Sequence, residues 1–256
     1  MLTSTGRASR YRAFANVTAL LPAAGNATYT VADVQTGRGD DRFAGWSLVV
    51  AYRDATEGFH RVSVYDGLGT VDATHTFSTD IAPFFTPASG DVATRTGLLA
   101  FEGDAGIVGE TATFNGTALT DAINGPGNLM NSTMARDGTL FTAKDPNYAN
   151  LQGTDIDVWN NTRLLGNHQS TATLEFASNQ DLFVPSALWL VSDEGPPANT
   201  AGPTVGGVAR DGSTLTANPG TWGARRHSPT STSGSAATPP APTASPSRAR
   251  PARPTR

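Results

Sequence analysis

Cysteine is absent, lysine occurs once (Lys144), and charged residues make up 16% of the 256 positions, against about 25% in an average protein. Without cysteine the chain can hold neither a disulfide scaffold, nor a cysteine-ligated zinc site, nor a cysteine nucleophile. The shortage of charge is filled by Thr, Ser, Asn and Gly, which argues against a helical bundle built on Ala, Leu, Glu and Lys. Nowhere do 18 apolar residues run together, so no membrane span is expected. The N-terminal stretch does not read as a secretory leader. Between Met1 and Leu21 the arginines Arg7, Arg10 and Arg12 precede an apolar stretch of only Val17–Leu21, short of the roughly 7–15 residues such a leader needs.

Acidic groups are missing from one end. From Gly223 to Arg256 there is no Asp or Glu but there are six arginines, while the other 222 residues carry 12 basic and 22 acidic groups, a net of −10. The acidic body repels phosphate backbones, so no nucleic-acid partner is expected. The Pro/Ser/Thr/Arg tail has no aromatic after Trp222 to stack on a base, and its composition reads as disorder.

What is present is strand and turn signal. Thr28–Val34 and Arg61–Tyr65 alternate apolar with polar residues, and Gly45–Tyr52 is continuously apolar, as in a strand covered on both faces. Thr96–Phe101, Thr111–Phe114, Gly138–Ala143, Thr154–Trp159, Thr171–Phe176 and Ala187–Val191 bring the total to about nine short strands. Asp66-Gly67 and Asn115-Gly116 are hairpin dipeptides. Helix signals are poor: Asn16–Ala24 is stopped by Pro22, and Ala118–Ile123 allows one turn. The expectation is all-β: an antiparallel β-sandwich of jelly-roll or Greek-key type over residues 1–194. A Gly-Pro-Pro linker follows (195–202), then an incomplete hairpin (203–222) and the tail (223–256). Two strands alone cannot bury a core, so the hairpin should be marginal by itself.

Two resemblances extend this reading. The segment PPANTAGPTVGGVARDGSTLTANPGTW (Pro196–Trp222) resembles the opening of bacterial immunoglobulin-like repeats in secreted and surface proteins of high-GC, actinobacterial-type organisms. Such repeats continue into a strand of the kind Tyr-Gln-Trp-Gln-Arg-Cys. Written in GC-rich codons and read one nucleotide out of register, Thr232–Thr238 encodes that strand. The tail is therefore expected to be a frameshift product, which the nucleotide sequence decides. The runs ATYTVADVQTG (Ala27–Gly37), RFAGWSLVVAYRD (Arg42–Asp54), VSVYDGLGTV (Val62–Val71), GLLAFEGDAGIVGETATFNGTALTD (Gly97–Asp121) and AKDPNYANLQGTDIDV (Ala143–Val158) resemble an uncharacterised β-sandwich module at the front of long bacterial surface proteins. The likeness covers roughly residues 11–194 and supplies no catalytic or binding residues. It implies an extracellular or cell-surface setting, with a leader and further strands ahead of the stretch that Ala15–Leu21 matches.

Residues able to do chemistry are few. His60, His75, His168 and His227 lack partners at metal-ligand spacing, no Gly-x-Ser-x-Gly elbow occurs, and the Gly-rich stretches lack a following Lys-Ser/Thr. Two acidic groups stand out: Glu102, Asp104 and Glu110 in the EGDAGIVGE loop, and Asp155 and Asp157, whose spacing puts both carboxylates on one strand face. Three readings stay open for them: a solvated acidic surface, a calcium site built from carboxylates and carbonyls, or a glycosidase pair. Trp46 and Trp189 lie in apolar strands and read as core, whereas Trp159, beside Asn160-Asn161, is the candidate for stacking on a sugar. The sequons at Asn16, Asn26, Asn115, Asn131 and Asn160 read as strand ends rather than glycan acceptors. The expected function is a non-catalytic structural or adhesive module; no cofactor is expected, calcium being one of the open readings of the acidic clusters. Its partners would be cell-wall or extracellular polysaccharide or another surface protein. The alternatives are a calcium-assisted, lectin-like module and, last, a domain of a secreted hydrolase.

Overall fold

The structure is a computed structural model and describes residues 2–5, 8–22, 27–37, 44–67, 69–196 and 199–222; the tail, with its frameshift reading, lies outside the described residues, as do Asn26 and His227. The strands before the chain midpoint are β1 (Leu2–Thr5), β2 (Ala8–Tyr11), β3 (His60–Asp66), β4 (Phe77–Ile81), β5 (Thr94–Gly103), β6 (Thr111–Phe114) and β7 (Thr117–Ala118). Those after it are β8 (Met134–Arg136), β9 (Thr139–Leu140), β10 (Gly153–Asn160), β11 (Ala172–Ala177), β12 (Val184–Asp193), β13 (Asn199–Ala201), β14 (Thr204–Gly206), β15 (Thr216–Asn218) and β16 (Thr221–Trp222). A 3-10 turn at Thr18–Leu20, where Asn16 Oδ1 accepts from the Thr18 amide at 3.0 Å, is the one helical piece among the described residues.

Strands β3 to β12 form two facing sheets, in the orders β3-β12-β5-β10-β8-β9 and β4-β11-β6-β7. The antiparallel pairs β3·β12, β4·β11, β5·β10 and β6·β7 are nested one inside the next, as when a single long hairpin is rolled up. The pairs β12·β5 and β11·β6 then close the roll. This is the jelly-roll arrangement of a β-sandwich. The added hairpin β8–β9 joins the larger sheet through a parallel pairing of β8 with β10, so the sheet is mixed.

Period-two alternation builds the core. In β11, Ala172, Leu174 and Phe176 face inward while Thr173 and Glu175 face out. They meet Phe114 of β6, Leu98 and Ala100 of β5, and Leu188 and Leu190 of β12. The Tyr65 hydroxyl donates to the Ala82 carbonyl and accepts from the Ala82 amide, both at 3.0 Å, fixing the chain where it passes from one sheet to the other. On the outer face the Trp189 ring lies directly over Gly97, where any Cβ would overlap it. Asn115-Gly116 turns β6 into β7 with both φ positive, as that hairpin demands, and Asp137-Gly138 turns β8 into β9 in the same way.

Several expectations are corrected. Thr28–Val34 and Gly45–Tyr52 form no ladder; alternation specifies a pleated surface but needs a free edge to pair with, and neither segment occupies one. Trp46, expected in the core, is accordingly 50% exposed. The Asp66-Gly67 dipeptide closes no hairpin, because β3 and β4 belong to opposite sheets. Gly138–Ala143 shortens to β9, and Ala118–Ile123 is not helical. The short strands β4 and β8 carry too little apolar pattern to be seen in the sequence. After Gly195, whose amide bonds to the Phe85 carbonyl at 2.9 Å, β13 pairs with β16 and β14 with β15. Val205, Val208 and Leu215 in this ribbon stay exposed, as expected of strands without a second layer.

Candidate functional site

Strand β10 is chemically inverted. Its alternation turns Asp155, Asp157 and Trp159 between the sheets and leaves Ile156 and Val158 half-buried outside. The strand is held by β5 on one side and β8 on the other, so its direction is not free to reverse. The segment joining β7 to β8 packs against the inward face, burying Leu119, Asn124, Leu129, Met130 and Asn131.

A chain of polar contacts links the two. Asn124 Nδ2 donates to Asp157 Oδ1 at 3.0 Å, Asn131 Nδ2 donates to Asn124 Oδ1 at 3.1 Å, and Thr133 Oγ1 donates to Asn131 Oδ1 at 2.5 Å. The Thr133 amide then donates to Asp155 Oδ1 at 3.1 Å. Asp121 Oδ1 accepts from the amides of Ile123 and Asn124, setting the turn that presents Asn124. Ser132, at a φ of 60°, donates to the Gly103 carbonyl at 2.6 Å and accepts from the Gly153 amide at 2.8 Å, which pins the segment to both neighbouring strands. Gly103 is required here: a Cβ would stand 2.5 Å from Asp155 Oδ2.

Glu110 enters the same interior from the start of β6, where it bridges Gly127. Glu110, Asp155 and Asp157 are each 0% exposed. Both carboxylate oxygens of Glu110, Oδ2 of Asp155, Oδ2 of Asp157, Oδ2 of Asp121 and Oδ1 of Asn128 are buried without a hydrogen-bond partner. Among the described residues no Arg, Lys or His side chain pairs with Glu110, Asp155 or Asp157. Loss of water pushes Glu110 and Asp155 up to about 7 and Asp157 up to about 8; the charges of Asp181 and Asp104 add to the rise at Glu110, that of Glu110 at Asp155, and those of Asp155 and Asp121 at Asp157, while nearby backbone amides and the Asn124 side chain act the other way.

The five acids singled out in the sequence therefore separate. Asp155, Asp157 and Glu110 share one interior, and the reading of a solvated acidic surface fails for them. Asp104 is exposed and Glu102 half-buried, at the turn after β5. There they face Asp181, which accepts from the Asp104 amide at 3.1 Å and is itself raised by burial and by both neighbours. Trp159 is corrected as well. It is 3% exposed, so its ring is core and offers no stacking face; its edge lines a cleft of about 310 Å³ with Asp121, Asp137, Asn160 and Asn161. Trp189 is half-buried over Gly97 rather than central. Sequence reasoning missed Asn124, Asn128 and Asn131; the density of Asn between 124 and 131 was the available signal. Asn131, read as a strand end, is a buried member of the network. Among the described residues no group of three His, Cys, Asp or Glu side chains is placed so that it could hold a metal ion, Glu110, Asp155 and Asp157 included.

No protein-family model matches the chain, and no curated protein matches it. Among solved structures it is similar to dimeric latent PorU from Porphyromonas gingivalis, at 11% identity and a TM-score of 0.35, over 57% of this chain and 14% of that one. A likeness so faint and so partial bears no argument about function.

Proposed function

We propose that the chain is a non-catalytic β-sandwich module of a secreted or cell-surface protein, with a structural or adhesive role, followed by the opening of an immunoglobulin-like repeat. The observation that carries the reading is the position of its reactive groups. The carboxylates with raised proton affinity are sealed between the sheets, where no substrate can touch them. A general acid or nucleophile must reach its substrate, so these groups serve the fold rather than a reaction. The test is retention of the full chain on insoluble polysaccharide and on bacterial cell wall, together with assay against soluble glycans for hydrolysis. Retention without product release supports the module. Product release abolished by Asp157→Asn would replace it with the hydrolase reading.

A second reading, carbohydrate binding, is favoured by the cleft beside Trp159, whose Asp121, Asp137, Asn160 and Asn161 offer hydrogen-bonding groups suited to sugar hydroxyls. Asp137→Ala should then weaken retention on polysaccharide while leaving retention on protein surfaces unchanged.

A further inference from the structure

We propose that the loop following β9 binds an acidic sugar residue, its carboxylate on Lys144 and its ring against Tyr148. The loop runs back along β8, where the Leu151 amide donates to the Ser132 carbonyl at 2.8 Å, and with the β8–β9 hairpin it borders a cavity of about 150 Å³. Lys144, the single lysine of the chain, lines this cavity and is half-buried. Two neutral groups fix it: its Nζ donates to the Phe141 carbonyl at 3.1 Å and to Asn147 Oδ1 at 2.8 Å. An ammonium has three donors, so one is uncommitted. The chain has 22 acidic groups, yet among the described residues none pairs with this ammonium, and the adjacent Asp145 is exposed and makes no ion pair. Holding a long side chain in one place costs rotamer entropy. A cation so held, with no counter-charge, is a seat for an anion.

The rest of the lining selects the ligand. A lysine is a point charge without the fork of an arginine, so the groups around it must supply the specificity. Tyr148 is 61% exposed and presents an apolar ring face with a polar tip. The Thr142 hydroxyl and the Asn147 amide stand on the same wall and can both donate and accept. One ligand class combines an anionic group, hydroxyls and an apolar C–H face, and that class is the acidic sugars. The volume is well below the roughly 300 Å³ at which sites for drug-sized ligands begin, which suits one ring rather than a chain. Repulsion from the acidic body is screened beyond about 8 Å at physiological salt, so Lys144 governs at contact. This cavity shares no lining residue with the cleft beside Trp159. A monosaccharide in solution probes it without any surface, so its test is independent of the adhesive role.

The experiment uses the full chain grown on isotope-labelled lysine, which gives one side-chain NMR signal because Lys144 stands alone. Galacturonate, galactose and acetate are titrated in separately at neutral pH, and saturation transfer from the protein to the protons of each ligand is recorded alongside. Galacturonate should move the Lys144 signal saturably, with galactose and acetate at least about tenfold weaker. Tyr148→Ala, a change at an exposed position that the fold tolerates, should bring galacturonate down to the level of acetate. Lys144→Met should abolish saturation transfer to galacturonate and leave the Tm unchanged. Thr142→Val keeps the lysine signal as reporter and should weaken galacturonate but not acetate. A folded parent whose Lys144 signal shows no saturable response to galacturonate overturns the proposal. So does an equal response to acetate, which would reduce the contact to a simple ion pair. Transfer that survives Lys144→Met, or affinity unchanged in Tyr148→Ala, overturns it as well.

Discussion

Strands β10 and β11 have the same alternation and opposite chemistry. In β11 the apolar set, Ala172, Leu174 and Phe176, faces the other sheet, and Thr173 and Glu175 face water. In β10 the apolar pair Ile156 and Val158 lies outside, and two aspartates lie within. Period two assigns residues to faces but does not say which face is the interior. In β11 the hydrophobic effect decides. In β10 the pairing with β5 and β8 decides, and the side chains must find polar partners where they land. A strand that keeps charge inside against the hydrophobic preference is held there for another reason, and for β10 that reason is the network with the 119–133 segment.

The comparison is most sharply broken at β11. Leu174→Ala should destabilise the sandwich by about 2–5 kcal/mol, the range for emptying a well-packed site, measured by urea unfolding. A smaller loss, below about 1 kcal/mol, would mean that this region is not the packed core described.

The next effect is the pH dependence of stability. Glu110 and Asp155 are held near 7 and Asp157 near 8, above ordinary values of 4.5 and 3.8. The folded chain therefore holds more protons than the unfolded one between those limits. The contribution of these three groups is fully present below the window and should be lost as pH rises from about 4 to about 8, whereas Asp54, Asp72 and Asp91, held low by their hydrogen bonds, act the other way only in more acidic solution. Thermal unfolding across that range reads the curve. A curve that is level or rising across that range would mean that these carboxyls are not held protonated between the sheets.

On the outer face, Gly97→Ala should cost about 1–3 kcal/mol, because the Trp189 ring must move aside. Trp189→Ala in the same chain should recover much of that loss relative to Trp189→Ala alone, as a double-mutant cycle would show. The smallest effect is expected outside β10, where Ile156→Thr should change stability by less than about 1 kcal/mol, against a larger change for the same substitution at inward Leu174.

Legibility from the sequence followed the same division. The strand at Thr111–Phe114 was readable to the residue, and the Asn115-Gly116 hairpin with it, because local chemistry fixes both. The body of β10 and the shared face of Asp155 and Asp157 were readable from spacing alone. Their burial was not, since it depends on strands β5 and β8, contributed from far along the chain. Gly45–Tyr52 misled for the converse reason: it has a buried strand's composition and no partner in the described structure. Glu110 was picked out with Glu102 and Asp104 as one loop cluster. The chain turns at Gly109, with a φ of 129°, and Glu110 is wholly buried although Asp104 is exposed; a backbone angle of that kind leaves no trace in charge pattern.

The nested pairing has a consequence in time. β12 lies between β3 and β5 in the larger sheet, yet it is the last strand of the roll to leave the ribosome, and β3 is the first. Until β12 arrives, β3 has no neighbour and β5 offers a bare edge, open to pairing with other chains. The sandwich therefore cannot mature progressively from its N-terminal end. It must close in a late step, through contacts that span nearly its whole length, which is the slow regime of β folding. Truncation anywhere before Asp193 should turn a folding problem into an aggregation problem.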